Sequence, residues 1–451
     1  MDAQKKRALI VCTTFSPKNA VGAIRLTKFT KYLIRAEWDV TIITVKVENE
    51  EILDGTLFCN ELKTIDLVRL SYSNFLLDRK RNKSQNSKTS DNSENLHKNL
   101  NIYSRFKAKC YSLLYTLKQY SWYLQCWKWI NSNYKPNEFD VVFSSYPGIA
   151  AHWVAEYVRD RNIAKKWVAD FRDPMAYKEL NDEKEYKRRL KQQKRIVLAA
   201  DAVTAVSRAL YSMMKQMAGD NEKPVYFIPN GYDRDDFAVS GSQTSIDSGP
   251  RYLSFVYTGS LYGGKRNIEV IFKVLRELVD DNLININDIV FNYAGKEFYT
   301  LHKQAQKYGL ENILVNHGFI SREKSISLQI ESSINVVCTW NNGDYHGVIP
   351  GKIYESLLLQ KPTIAIINGD SCGSEVAEII RSTRIGVAFE EANKQQDYTT
   401  LKQYIQDFYT NLVQNGIFEF SPNLDAIKKY DYENLTNELE KAFLEVLCKQ
   451  A

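Results

Sequence analysis

Residues 345–366 read YHGVIPGKIYESLLLQKPTIAI and place a glycine-flanked turn, a lone acidic residue and an apolar strand in close succession. Gly347 and Gly351 let the backbone approach a ligand closely, and Pro350 presets φ where a helix would begin. Residues 352–360 carry Ile353 and Leu357 at helical spacing, Lys361 and Pro362 stop that helix, and residues 363–367 continue as an apolar strand. A helix start with open amides attracts anions, so the pattern predicts a phosphate docked over residues 347–351. Glu355, about one turn further on, suits a hydroxyl such as that of a ribose better than a phosphate. An ordinary loop–helix–strand unit with a solvated Glu355 would carry the same pattern.

Upstream of this stretch, apolar runs at 253–258, 289–294, 313–315 and 334–339 alternate with helical patterns at 268–279 and from Ser321 onward. The same alternation fills the first half, with strands expected at 8–13, 40–44, 64–70, 139–144, 166–171, 202–206 and 225–228. Helices are expected at 24–36, 149–161 and 182–198. Between the two series, residues 240–250 (SGSQTSIDSGP) are small, polar and turn-rich, as a linker is. The prediction is an α/β protein of two Rossmann-like doubly wound domains facing each other across a cleft. Arg172, Asp173 and Pro174 close the carboxyl end of one strand, where open α/β sheets bind ligands.

A chain of 451 residues is too long for one core, which agrees with two domains. A net charge of +6 is modest at this length and argues against a nucleic-acid partner. Seven dispersed cysteines, without CxxC or histidine pairing, suggest a reducing cytoplasm and no metal site. Residues 78–101 are polar and nearly devoid of core formers, so a mobile insertion is expected there. From Tyr103 to Lys135 there is no acidic residue. Tyr103, Phe106, Cys110, Leu113, Leu114, Leu117, Tyr120, Leu124 and Trp127 recur at helical spacing beside Arg105, Lys107, Lys109, Lys118 and Lys128. An amphipathic helix over 103–130 that rests on anionic lipid is one reading, and a helix packed on its domain is the other.

The stretches VCTTFSPKNAVGAIR, KWVADFRDP, ADAVTAVS, FIPNGYD, FVYTGSLYGGKRN, NYAGK, HGFIS and GVIPGKIYESLLLQKPTIAI occur in an order that resembles the retaining glycosyltransferases of family 4, which have the GT-B fold. The resemblance implies an N-terminal acceptor-binding domain (1–238) and a C-terminal nucleotide-sugar domain (251–420). It also implies a helical tail (421–451) packing back toward the first domain. By that resemblance Glu355 is the acidic residue that holds the ribose, and Gly347 stands where an E-x7-E signature has its first glutamate. Gly347, Val348, Ile349, Pro350 and Lys352 would contact the diphosphate and sugar, Gly318 and Phe319 the nucleobase, and Gly259 and Gly295 would close strand ends beside the donor. Lys265 looks like the pyrophosphate lysine, with Arg266 next to it. Gly22 and Ala23 resemble the glycine loop of the first domain, and Arg172 and Asp173 stand where many relatives have a histidine.

The implied activity is transfer of a sugar, with retention, from a nucleotide-sugar to a glycan or lipid-linked acceptor of capsule or lipopolysaccharide type. No cofactor or obligatory metal is expected, and the location is cytoplasmic with peripheral membrane contact. A GT-B epimerase, a soluble sugar-phosphate synthase and a non-catalytic nucleotide-sugar-binding partner are the alternatives.

Overall fold

A computed structural model describes residues 5–18, 20–47, 57, 59–72, 97–177, 182–219, 223–238, 252–342, 349–416 and 420–449, without the side chains of Val21 and of residues 97–112. The first series of elements is β1 (Arg7–Val11), α1 (Val21–Arg35), β2 (Asp39–Val45), β3 (Asp66–Leu70), α2 (His97–Asn133), β4 (Phe139–Tyr146), α3 (Ile149–Asp160), β5 (Ala164–Phe171), α4 (Glu183–Ala199), β6 (Ala202–Ala205), α5 (Arg208–Ala218), β7 (Val225–Phe227) and the short α6 (Asp235–Ala238). The second is β8 (Leu253–Thr258), α7 (Glu269–Asp280), β9 (Ile289–Ala294), α8 (Phe298–Gln306), β10 (Leu314–Asn316), α9 (Arg322–Glu331), β11 (Ile334–Trp340), α10 (Gly351–Leu359), β12 (Thr363–Asn368), α11 (Glu375–Thr383), β13 (Gly386–Glu390), α12 (Lys394–Tyr409), α13 (Leu424–Lys428) and α14 (Tyr432–Cys448).

These elements form two parallel sheets. The first has seven strands in the order β3-β2-β1-β4-β5-β6-β7, and the second has six in the order β10-β9-β8-β11-β12-β13. Each order reverses once, between β1 and β4 in one sheet and between β8 and β11 in the other, and a ligand crevice lies outside the strand ends at such a point. The strands are near-continuous apolar runs because helices cover both sheet faces. Ala8, Leu9, Ile10 and Val11, for example, have no exposed surface.

The chain divides into two compact units: Met1–Val206 with Leu210–Ile228 and Thr436–Ala451, and Ser207–Ala209 with Pro229–Leu435. In the first, α14 contributes Phe443, fully buried edge-on against Phe143 and Trp38, and Glu440 accepts the Trp38 Nε1 hydrogen at 2.8 Å. In the second, Phe255, Phe272 and Phe291 center one core, and Ile353 and Leu357 of α10 join Ile367, Ile380 and Ile427 in another.

Two expectations about residues 78–130 change. His97–Asn101, assigned to a mobile insertion, form the first turns of α2, and 78–96 lie outside the described residues. The apolar stripe read in the sequence is also not the one that packs. Gln119, Trp122, Cys126 and Ile130 are buried in the first unit, whereas Leu113 is 61% exposed, Tyr120 50% and Trp127 43%. Both stripes have helical spacing; the other one fits the surface of α3 and β3 and donates Trp122 Nε1 to Leu70 O at 3.1 Å. No helix among the described residues is long and apolar enough to cross a membrane.

Candidate functional site

The opening stretch folds as its residues require. Pro350 is extended (φ −71°, ψ 142°), α10 starts at Gly351, and among the described residues no side chain caps it, so the amides of Gly351 and Lys352 are available to a ligand. Gln360 turns left-handed (φ 48°) and ends the helix before Pro362. Gly347 and Val348 lie outside the described residues; Ile349 is half-buried beside the α10 core.

Glu355 faces a polar pocket of its own unit. Lys352 Nζ is 2.8 Å from Glu355 Oε2, and Gln329 Nε2 donates to the same oxygen at 2.9 Å. Burial alone would raise the pKa of this carboxyl, but Lys352, Gln329 and Arg322 overcome that and hold it below the usual range. Beneath it, Ser325, Gln329, Asn335 and Ser356 are buried and joined by hydrogen bonds, with Asn335 Nδ2 donating to Ser356 Oγ at 3.2 Å. None of these supporting residues stood out in the sequence. The Ser325/Gln329 spacing on α9 is the signal that could have found them.

The loop after β8 brings together most of the remaining predicted donor residues. Gly259 has φ 137° and packs on Gly295, where a Cβ would come within 2.3 Å of Gly259 O. Tyr262, Gly263 and Gly264 continue with φ of 51°, 63° and 93°. Glu297, missed in the sequence, lies against this left-handed run. Its Oε1 accepts from Gly263 N at 2.7 Å, while Oε2 accepts from Leu261 N at 2.7 Å, from Tyr262 N at 3.1 Å and from Ser260 Oγ. The far end of the loop is held by Asn368, whose amide exchanges two 2.9 Å hydrogen bonds with the Asn267 backbone.

Lys265 is exposed on this loop. Arg266 is half-buried, with its guanidinium 4.6 Å from the Tyr262 ring and 5.5 Å from the Trp340 ring, an orientation that favours a fixed cation. After β10, Gly318 takes φ 66° and Phe319 is 66% exposed, with Lys296 Nζ 4.6 Å above its ring.

In the first unit, Gly22 and Arg172 come together, with Ala23 buried next to Gly22 on α1. A Cβ on Gly22 would fall 1.7 Å from Arg172 Nη1, so only glycine admits the guanidinium there. Arg172 Nε donates to Ser145 Oγ at 3.1 Å and to Tyr146 O at 3.0 Å. Ser145 Oγ donates to Asp170 at 2.7 Å, Thr204 Oγ1 does so at 2.7 Å, and Arg25 Nη2 does so at 3.0 Å. Arg25 and Asp170 have no exposed surface, and Arg25 Nη2 also reaches Ile228 O at 2.9 Å. Burial would raise the Asp170 pKa; Arg25, Ser145 and Thr204 reverse that and lower it. Asp173 is exposed, accepts a long 3.5 Å hydrogen bond from the Tyr177 hydroxyl and feels the Arg172 charge. His152 is fully buried against Ser144 Oγ at 2.8 Å, and burial pushes its pKa down to about 3, so it stays neutral. Among the described residues no group of three or more His, Cys, Asp or Glu is placed to hold a metal ion.

Residues 89–236 match Glycosyltransferase Family 4. A comparison with curated protein sequences finds no match. Among solved structures the chain is similar to the crystal structure of TarM, at 11% identity, TM-score 0.59 and 99% of both chains covered. It is similar to the sucrose-phosphate synthase of Thermosynechococcus elongatus at 13% identity and TM-score 0.57, covering 98% of this chain and 99% of that one. It is also similar to the apo form of the lipopolysaccharide outer core galactosyltransferase WaaB at 10% identity and TM-score 0.55, covering 97% and 99%. At such identities the likeness is one of fold. The two Rossmann-like parallel-sheet domains are those of GT-B proteins, and the segment 89–236 is glycosyltransferase family 4-like in sequence.

Proposed function

We propose that this GT-B protein is a glycosyltransferase that moves a sugar from a nucleotide-sugar to a glycan or lipid-linked acceptor with retention, in surface polysaccharide synthesis. The observation that carries the reading is Glu355, an ionised carboxylate held by Lys352 and Gln329 one turn inside a helix whose N-cap residue Pro350 makes no side-chain cap. In this reading it accepts the ribose hydroxyls. Open amides of α10 and the Lys265 and Arg266 cations offset the diphosphate charge without a metal. Phe319 with Lys296 supports the base. In the reaction the bond from the anomeric carbon to the β-phosphate oxygen breaks and a bond from the acceptor oxygen to that carbon forms. The acceptor proton passes to the departing phosphate. Gly22, Ala23, Arg172 and Asp173 contact sugar or acceptor, which assigns acceptor binding to the first unit and donor binding to the second.

A screen of UDP-, GDP- and dTDP-sugars for binding and slow hydrolysis tests this. At least one should bind and release its sugar; binding with no release and no transfer would leave a non-catalytic partner protein, and release of an epimerised sugar an epimerase. Replacing Lys265 and Arg266 together by alanine should lower turnover about 100-fold or more, as expected when charges that stabilise a leaving group are removed. The melting temperature should hardly move, and an equal loss of stability would reassign both residues to structure.

Peripheral attachment to anionic membrane through residues 103–130 belongs to the same proposal. Leu117, Tyr120, Leu124 and Trp127 form an exposed stripe on α2, and Arg105, Lys107, Lys109, Lys118 and Lys128 add positive charge, each worth about 1 kcal/mol near an anionic surface. In flotation with phosphatidylserine-containing vesicles, replacing Arg105, Lys107 and Lys109 by glutamine should reduce the floated fraction. No change would remove the lipid role.

A further inference from the structure

The β8 loop carries an anion-binding device that no part of the proposed donor chemistry uses. Right-handed Leu261 (φ −91°, ψ −1°) followed by left-handed Tyr262 (φ 51°) turns neighbouring amides toward one point, the backbone arrangement that commonly cradles a phosphate. Here the point is occupied from within the chain. The Glu297 carboxylate accepts the amides of Leu261, Tyr262 and Gly263 together with the Ser260 hydroxyl. The backbone of Glu297 is tied to the same loop, because its amide donates to the Tyr293 hydroxyl at 3.0 Å and that hydroxyl donates to Gly259 O at 3.1 Å.

The consequence reaches the two cations. Ser260 is bound at both ends, its hydroxyl by Glu297 and its carbonyl by Arg266 Nη1 at 3.4 Å and by the Tyr257 hydroxyl at 2.9 Å. Tyr262, whose amide Glu297 holds, supplies one of the two rings around the Arg266 guanidinium. Releasing the carboxylate would therefore free the loop that presents Lys265 and Arg266, while leaving the β8 and β9 strands in place.

We propose that Glu297 is a positioning residue that satisfies the loop amides itself, so that the diphosphate of a bound nucleotide is met by the side chains of Lys265 and Arg266 and not by the loop backbone. The inference rests on the donor-site reading given above and specifies which groups of that site contact phosphate. An acidic side chain beside a diphosphate is otherwise unfavourable, but this one spends its lone pairs on four donors of the loop and faces the loop.

The test compares wild type, Glu297→Ala and Glu297→Gln. Calorimetric titration uses whichever of UDP, GDP and dTDP the wild type binds best, against the matching nucleoside, and hydrogen exchange reads the amides of Leu261, Tyr262 and Gly263. Glu297→Ala should bind the diphosphate about tenfold more weakly, with nucleoside affinity and melting temperature unchanged and faster exchange at the three amides. Glu297→Gln keeps one acceptor oxygen and should fall between. Tighter diphosphate binding by Glu297→Ala would mean that the amides are a phosphate site blocked by the carboxylate, and that result overturns the inference. Unchanged affinity in both variants also overturns it, and Glu297→Gln decides alone if the alanine variant does not fold. If the wild type binds none of the nucleotides, the donor-site reading has failed, and unaltered exchange would then separately reject Glu297 as the loop's anchor.

Discussion

Arg25→Met should destabilise the first unit by about 3–5 kcal/mol, because it leaves the Asp170 carboxylate buried without its cation. Both side chains have no exposed surface, and Asp170 joins α1 to the carboxyl ends of β5 and β6 through Arg25 and Thr204. Thermal unfolding followed by the fluorescence of the buried Trp122 and Trp167 should show a drop on the order of 10 °C. Replacing Asp170 by leucine as well should recover part of the loss, since a buried pair exchanged for apolar side chains is often nearly neutral. A drop of less than ~1 kcal/mol for Arg25→Met would show that Ser145 and Thr204 suffice.

The stability gap between the two proteins should depend on pH. In the wild type the Asp170 pKa is lowered in the folded state. Its contribution is therefore present above the unfolded value, about 3.9, and is lost as pH falls through the folded pKa. Without Arg25 the largest lowering cause is gone, so the folded pKa of Asp170 should rise. The variant therefore loses less stability than the wild type on acidification, so the gap between the two stabilities should narrow as pH falls toward the wild-type folded pKa. A gap of constant size across that range would mean that Asp170 is not the group responsible.

Glu355→Ala should weaken binding of the best nucleoside diphosphate by roughly ten- to a hundredfold, the equivalent of losing charge-assisted hydrogen bonds of about 1.5–3 kcal/mol. Only part of this carboxylate is occupied within the protein: Lys352 and Gln329 both meet Oε2, and no protein hydrogen bond to Oε1 competes with a ligand hydroxyl among the described residues. Glu355→Gln should lose less, because it keeps an acceptor of the same shape. Titration of both variants with UDP, GDP and dTDP checks this, and an alanine variant that binds as tightly as wild type would end the ribose assignment. The folded protein should be little affected, since the Glu355 side chain retains 18% exposure and its partners Lys352 and Gln329 have neighbours in Ser325.

The local elements were legible because each is written in consecutive residues. A strand covered on both faces must be an apolar run, as at 253–258 and 334–339, and glycine and proline punctuate the turns. For the same reason a helix from Ser321 onward could be read, and in the fold the Ser321 hydroxyl caps it by accepting Lys324 N at 3.3 Å. The candidate site was legible in part. Gly22 and Arg172, Gly259 and Gly295, and Lys265 and Arg266 are brought together as small groups. What holds those groups in place was not legible, because Arg25 meets Asp170 across 145 residues and Glu297 meets Leu261 across 36. A single sequence carries no periodicity that links positions so far apart.

The sequence by itself determined the two βαβ series, the glycine and proline positions that aim the loops, and the identity of the residues at the strand ends. Those follow from local sterics and from the burial that each element must find. Only the tertiary structure decided which stripe of α2 is buried, since Trp122 and Leu117 belong to stripes of equal spacing and only contact with α3 and β3 separates them. It also decided that a carboxylate from the end of β9 fills the amides of the β8 loop, because that requires the two strand ends to touch at Gly259 and Gly295. Packing selects among arrangements that local propensity leaves equal, since it depends on surfaces that exist only after the chain has folded.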